Sequence, residues 1–207
     1  MPATNPWQEV NQQLWQATPA GAAVVGLSCL RQASAVFEAA AVQTPSSAPF
    51  GTGSLAHVDL HAPTSELLVP VLAAKPEVAR YAADPETGEL PEDEESNRGE
   101  LLGMAAEMVM RTEPEMDEDA VREWADMCST MISDICQHLD MLEYEDVRDA
   151  PDNDPPGPLS AGVLDLQREI LALVAAPDET TMEQVSQLVE TAHAPLLAAA
   201  RGAIDNE

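Results

Sequence analysis

Between Glu118 and Glu145, apolar residues return every three or four positions: Val121, Trp124, Cys128, Met131, Ile132, Ile135, Leu139 and Leu142. That period brings them to one face of an α-helix, because the helix turns once every 3.6 residues. A stripe of about six turns has to be buried against other elements, and the rest of the chain supplies partners of the same kind. Aromatics make up only 3% of the 207 residues, while hydrophobic residues reach 45%. Ala, Leu, Val and Met dominate that set. Ala and Leu are the best helix formers, whereas sheets favour aromatic and β-branched residues. The expected fold is all-α: a single helical bundle over residues 1–207, with about six or seven helices and one long irregular crossover loop.

Punctuation divides the chain into these elements. Asn5 as cap with Pro6 behind it opens a first helix carrying Trp7, Val10 and Leu14, and Thr18-Pro19 closes it. A second helix over Ala20–Gln43 is apolar on most faces, as a central helix would be. The crossover follows, rich in Pro, Gly, Ser and Thr. Within it, LAHVDLHA alternates: Ala56, Val58 and Leu60 on one side, His57, Asp59 and His61 on the other. This predicts a short extended segment lying across the bundle. A third helix starts at Thr64 or Ser65; Pro70 should kink or split it, and Pro76 should restart it. Residues 84–97 and 146–158 read as acidic, Pro-rich loops. Between them the spacing predicts helices over Arg98–Arg111 and Glu118–Glu145. The last two helices form an antiparallel hairpin, the final one opening on TMEQ with Thr181 as cap and Gln184 three residues on, then kinking at Pro195.

The formal net charge is −28 and it is concentrated. Residues 1–81 hold 5 acids and 3 bases, residues 82–158 hold 24 and 4, and residues 159–207 hold 8 and 2. Such a field repels phosphate backbones and argues against ordinary nucleic-acid binding. It attracts a basic protein surface, a polyamine or a divalent cation, or simply maintains solubility. The three cysteines, Cys29, Cys128 and Cys136, show no CxxC spacing and read as reduced, buried thiols of a cytoplasmic protein. The N-terminal residues lack the pattern of a signal peptide, and no apolar run approaches a membrane span, so no membrane association is expected. Phosphate loops, nucleophile elbows and dinucleotide fingerprints are absent, and no cofactor is expected.

Three features carry possible chemistry. In SDICQHLDM, Asp134 and His138 lie four residues apart on one flank of the predicted helix. An i, i+4 carboxylate–imidazole pair can fix a tautomer and orient a general base, so these are the candidate catalytic residues. A helix-flank histidine beside a local carboxylate is the simpler explanation. His57, Asp59 and His61 project alike on an extended segment and are the candidate metal ligands; a solvated polar face is the simpler explanation, because an extended backbone sets His57 and His61 too far apart for one ion without bending. Seven of the nine methionines fall between Met104 and Met141. Met104, Met108, Met110, Met127, Met131 and Met141 are the candidate partner-binding residues, because a flexible thioether surface with an acidic surround suits an apolar or basic amphipathic partner. Core filling is the plain alternative.

The function expected from the sequence is therefore a non-catalytic acidic helical protein that engages a basic or amphipathic protein partner, with self-association left open. The alternative is a helical enzyme or small-ligand-binding protein with a His/carboxylate site, metal-bound or not, between helices.

Overall fold

Thr18 opens the central helix. Its Oγ1 accepts from the Gly21 N–H at 3.1 Å, and Pro19 fills the first position, where the missing N–H costs nothing. The computed structural model describes residues 6–40, 53–82, 96–142 and 157–205. Within them lie seven α-helices and no strand: α1 (Pro6–Gln16), α2 (Pro19–Ala39), α3 (Thr64–Val78), α4 (Asn97–Met110), α5 (Glu118–Met141), α6 (Pro158–Ala175) and α7 (Thr181–Asp205). The fold is a single all-α bundle, as the sequence predicts.

Every residue of α2 from Gly21 to Phe37 is buried, because α3, α4, α5, α6 and α7 all pack around it. By length and apolarity α2 would suffice to cross a membrane, which the reading of apolar runs missed. In the fold, 94% of that apolar window is inside the bundle. Gly26 makes the closest packing possible. A Cβ there would fall within the Trp124 ring of α5, whose indole N–H donates to the Met108 carbonyl of α4 at 3.2 Å. Polar links tie α1 to the outside: Asn11 to Asp126 of α5 at 2.5 Å, and Glu9 to Arg168 of α6 at 2.7 Å.

Several local expectations are corrected. LAHVDLHA is not extended. Ser54–His57 forms a 3₁₀ turn, and the Asp59 carboxylate accepts from the His61 N–H to close the following turn. The turn buries Leu55 and packs on α7. Pro70 and Pro76 neither split nor restart α3, which runs through both. The carbonyls they release, on Glu66 and Leu72, belong to exposed or partly exposed residues, where water can satisfy them. Pro195 lies inside α7, in the helix where the sequence places it. The α7 cap stands one residue earlier than Thr181. Thr180 accepts the Gln184 side-chain amide at 2.7 Å, and Thr181 is the first helical residue. The α2 and α5 ends at Ala39 and Met141 fall short of Gln43 and Glu145, which lie outside the described residues, as do Asn5 and nearly all of the loops 84–97 and 146–158.

Asp140 shows how α6 is started without a cap of its own. The preceding Gly157 has no side chain to serve. Asp140, near the end of α5, supplies the carboxylate instead, accepting from Leu159 N at 3.0 Å, Ser160 N at 2.9 Å and Ser160 Oγ at 2.7 Å. A Cβ on residue 157 would overlap that carboxylate, so glycine is required there by contact. Asp140→Ala should lower unfolding free energy by ~2 kcal/mol, since it removes a buried cap and strands two helix N–H groups. Urea denaturation checks this; a loss under about 0.5 kcal/mol would show that water replaces the cap.

Candidate functional site

Helices α4 and α5 run antiparallel. Trp124 meets Met108 near their connection, and His138 meets Asn97 and Glu100 at the far end. Ser96 Oγ caps α4 through Gly99 N and Asp117 caps α5 through Ala120 N, which fixes where each helix begins. On α5, Met127, Met131, Asp134 and His138 follow i, i+4, i+7, i+11 spacing and share one flank. On α4, Asn97, Glu100 and Met104 follow i, i+3, i+7 spacing. Because His138 touches Asn97 and Glu100, the two stripes border one seam.

Thioether and carboxylate groups share that face. Met104, Met110, Met116, Met127 and Met131 are partly buried against the core, Met108 is fully buried, and Met141 is 38% exposed beside an exposed Leu142. Residues 96–142 hold eleven carboxylates against three arginines. Arg111 pairs with Glu107, and Arg122 pairs with Asp119 and Glu118.

The Asp134–His138 pair is not what holds the imidazole. His138 Nε2 lies 3.3 Å from Asn97 Oδ1 and Nδ1 lies 3.6 Å from Glu100 Oε1, so both ring nitrogens face α4. Asp134 is exposed on the flank, where partial desolvation pushes its carboxyl above the usual range. His57, Asp59 and His61 are all exposed on the crossover turns. Among the described residues, no three His, Cys, Asp or Glu side chains are grouped to hold a metal ion.

Sequence reading missed a third constellation. Arg31, only 2% exposed, lies in the middle of α2 and is surrounded by acceptors. Its Nε and Nη2 form a bidentate pair with Glu190 of α7 at 2.9 and 2.8 Å. Its Nη1 lies 3.0 Å from Glu38, 2.6 Å from Ser34 Oγ and 2.9 Å from His193 Nε2. The Gly53 N–H, at the edge of the 3₁₀ turn, adds a bond to Glu190 at 3.2 Å. Burial by itself would depress Arg31, but the hydrogen bonds and charges of Glu190 and Glu38 outweigh it and hold the guanidinium above its ordinary value. The hydrogen bond from Arg31 holds Glu190 below the usual carboxylate range. The signal was present in the sequence: Arg31, Ser34 and Glu38 share one face of α2, and Glu190 and His193 share one turn of α7.

Ser34, His193 and Glu38 have the residue types of a nucleophile–base–acid triad but not its geometry. One nitrogen, Nε2, faces both Ser34 at 3.4 Å and Glu38 at 3.2 Å, whereas a triad uses the two ring nitrogens separately. Ser34 Oγ also donates to the Arg31 carbonyl at 2.6 Å and is buried. The thiols are equally unsuited to attack. All three are free and buried, and burial pushes Cys29 up to about 12. No protein-family model, no curated protein and no solved structure matches this chain.

Proposed function

We propose that this chain is a non-catalytic acidic interaction protein whose α4–α5 face docks a basic amphipathic helix. One observation carries the reading: five of the six methionines of α4 and α5, all but the buried Met108, lie partly open on the same two helices that hold a dense excess of carboxylates. Thioethers adapt to an incoming apolar stripe, and the carboxylates complement the basic residues that flank it. Catalytic alternatives have less support, because the ring nitrogens of His138 face α4 and the guanidinium of Arg31 is surrounded by groups of the fold itself.

The test uses a synthetic amphipathic helix with one leucine face and a Lys/Arg face. Any acidic protein will attract such a peptide, so the methionine dependence decides. Raising salt from about 50 to 300 mM should slow association at least ~10-fold, the electrostatic share. Met104→Gln and Met131→Gln should each speed dissociation ~5-fold, the apolar share. His138→Ala should change neither rate. Dissociation indifferent to both methionine changes would overturn the reading, and loss of binding in His138→Ala would point to a site built on the imidazole.

A further inference from the structure

The α2–α7 seam places one imidazole nitrogen between a cation and an anion. His193 is 5% exposed, and its Nε2 lies 2.9 Å from Arg31 Nη1 and 3.2 Å from Glu38 Oε1. A guanidinium can only donate. The Ser34 hydroxyl also contacts Nε2, but its hydrogen is directed to the Arg31 carbonyl. Neutral His193 therefore accepts at Nε2 from Arg31 and carries its proton on Nδ1. In that state the Nε2 contact with Glu38 sets lone pair against lone pair and makes no hydrogen bond. A proton on Nε2 reverses both relations: the Arg31 bond is lost, and the Glu38 contact becomes a charge-assisted hydrogen bond.

We propose that His193 is a proton-driven partner switch in the α2–α7 seam, bonded to Arg31 when neutral and to Glu38 when protonated. Charge balance supports it. Arg31, Glu38 and Glu190 together carry one net negative charge, so a protonated His193 makes the cluster neutral without any outside ion. Nη1 is also oversubscribed in the neutral state, with two hydrogens facing Ser34, Glu38 and His193; protonation removes one of those three acceptors. The charges acting on His193 are Arg31 and Glu38 from α2 and Glu190 from its own helix. The 3₁₀ turn packed on α7 contributes the Gly53 N–H through Glu190, and its own His57 is exposed. Burial first, then Arg31, holds the imidazole below its usual value, against the opposing pull of the two carboxylates.

The sign of the linkage follows. A histidine depressed in the folded state binds its proton more readily when unfolded. Its contribution to stability is complete above the unfolded value of about 6.5 and is lost as pH falls through the folded value.

The experiment is a ¹⁵N NMR titration of the imidazoles in the full chain. At pH 7.5 one of the four histidines should show an unprotonated Nε2 and a protonated Nδ1, with a midpoint below 6.5. His193→Gln should remove that signal and assign it; if that variant does not fold, single substitutions of His57, His61 and His138 assign it by elimination. Glu38→Gln should move the same midpoint further down, because it removes the anion that receives the proton's charge. An Nε2-protonated tautomer at pH 7.5, a midpoint at or above 6.5, or a midpoint unmoved by Glu38→Gln would each overturn the switch.

Discussion

Arg31→Leu should cost ~3–5 kcal/mol of unfolding free energy, read as a shift in the urea midpoint at constant slope. The side chain is 2% exposed, and its removal leaves Glu190 facing an apolar helix with only the Gly53 N–H and a neutral histidine nearby. Most of the loss is the cost of an unmatched carboxylate rather than the value of the pair, so the effect should lie at the lower end of that range, because Glu190 and Glu38 keep 26% and 39% of their side chains open to water. The combination Arg31→Leu with Glu190→Leu separates the two contributions. It should recover at least half of the loss, since a matched apolar pair packs without a stranded charge. If the double variant is as unstable as the single one, the guanidinium contributes through its own packing and through Glu38 and Ser34 instead.

Gly26→Ala should be comparably damaging, against local propensity. Alanine in a helix interior is favoured over glycine by about 1 kcal/mol. Here the added methyl would occupy the space of the Trp124 ring, which is itself 3% exposed and anchored to the Met108 carbonyl. The ring cannot swing away without breaking that bond or opening the α2–α5 contact. A net loss of ~2–4 kcal/mol is expected, the overpacking cost less the propensity gain. Trp124→Leu alone should also destabilise, by removing packed ring surface. In the Trp124→Leu background, however, Gly26→Ala should become neutral or stabilising. Additive losses in the double variant would show that the glycine is needed for some contact other than the indole.

Helix period reads well from a sequence when one face is apolar and the other is wet. The seven positions from Val121 to Leu139 specify α5 because its opposite face is charged, whereas Leu142, expected on the same stripe, falls just past the helix and is exposed. The reading fails where burial is uniform. In α2 every side of the helix is covered, so no stripe marks which side meets α7, and Arg31 interrupts an apolar run without showing which distant residues it meets. Its partners Glu190 and His193 lie about 160 residues away, and only the fold brings them together. Alternation misled in the opposite way. In LAHVDLHA a period of two resembles a strand, but an isolated strand has no ladder to join, and a 3₁₀ turn satisfies its backbone locally while burying Leu55 alone. Pro70 and Pro76 do not break α3 because their cost falls on one carbonyl each, and an exposed carbonyl can turn to water. His138 was placed on the correct flank, but a neighbouring helix, invisible in local spacing, supplies its partners in place of Asp134.

The buried thiols give the bundle a chemical clock. Cys29 belongs to α2, and Cys128 and Cys136 belong to α5, the two helices with the most extensive mutual packing. With each sulfur enclosed and its thiolate suppressed by burial, an alkylating reagent has no target while those helices stay together. Reaction therefore waits for the parting of the central pair rather than for the fraying of an end. The rate at which the chain consumes reagent measures how often its innermost interface opens, and no label or introduced probe is needed to read it.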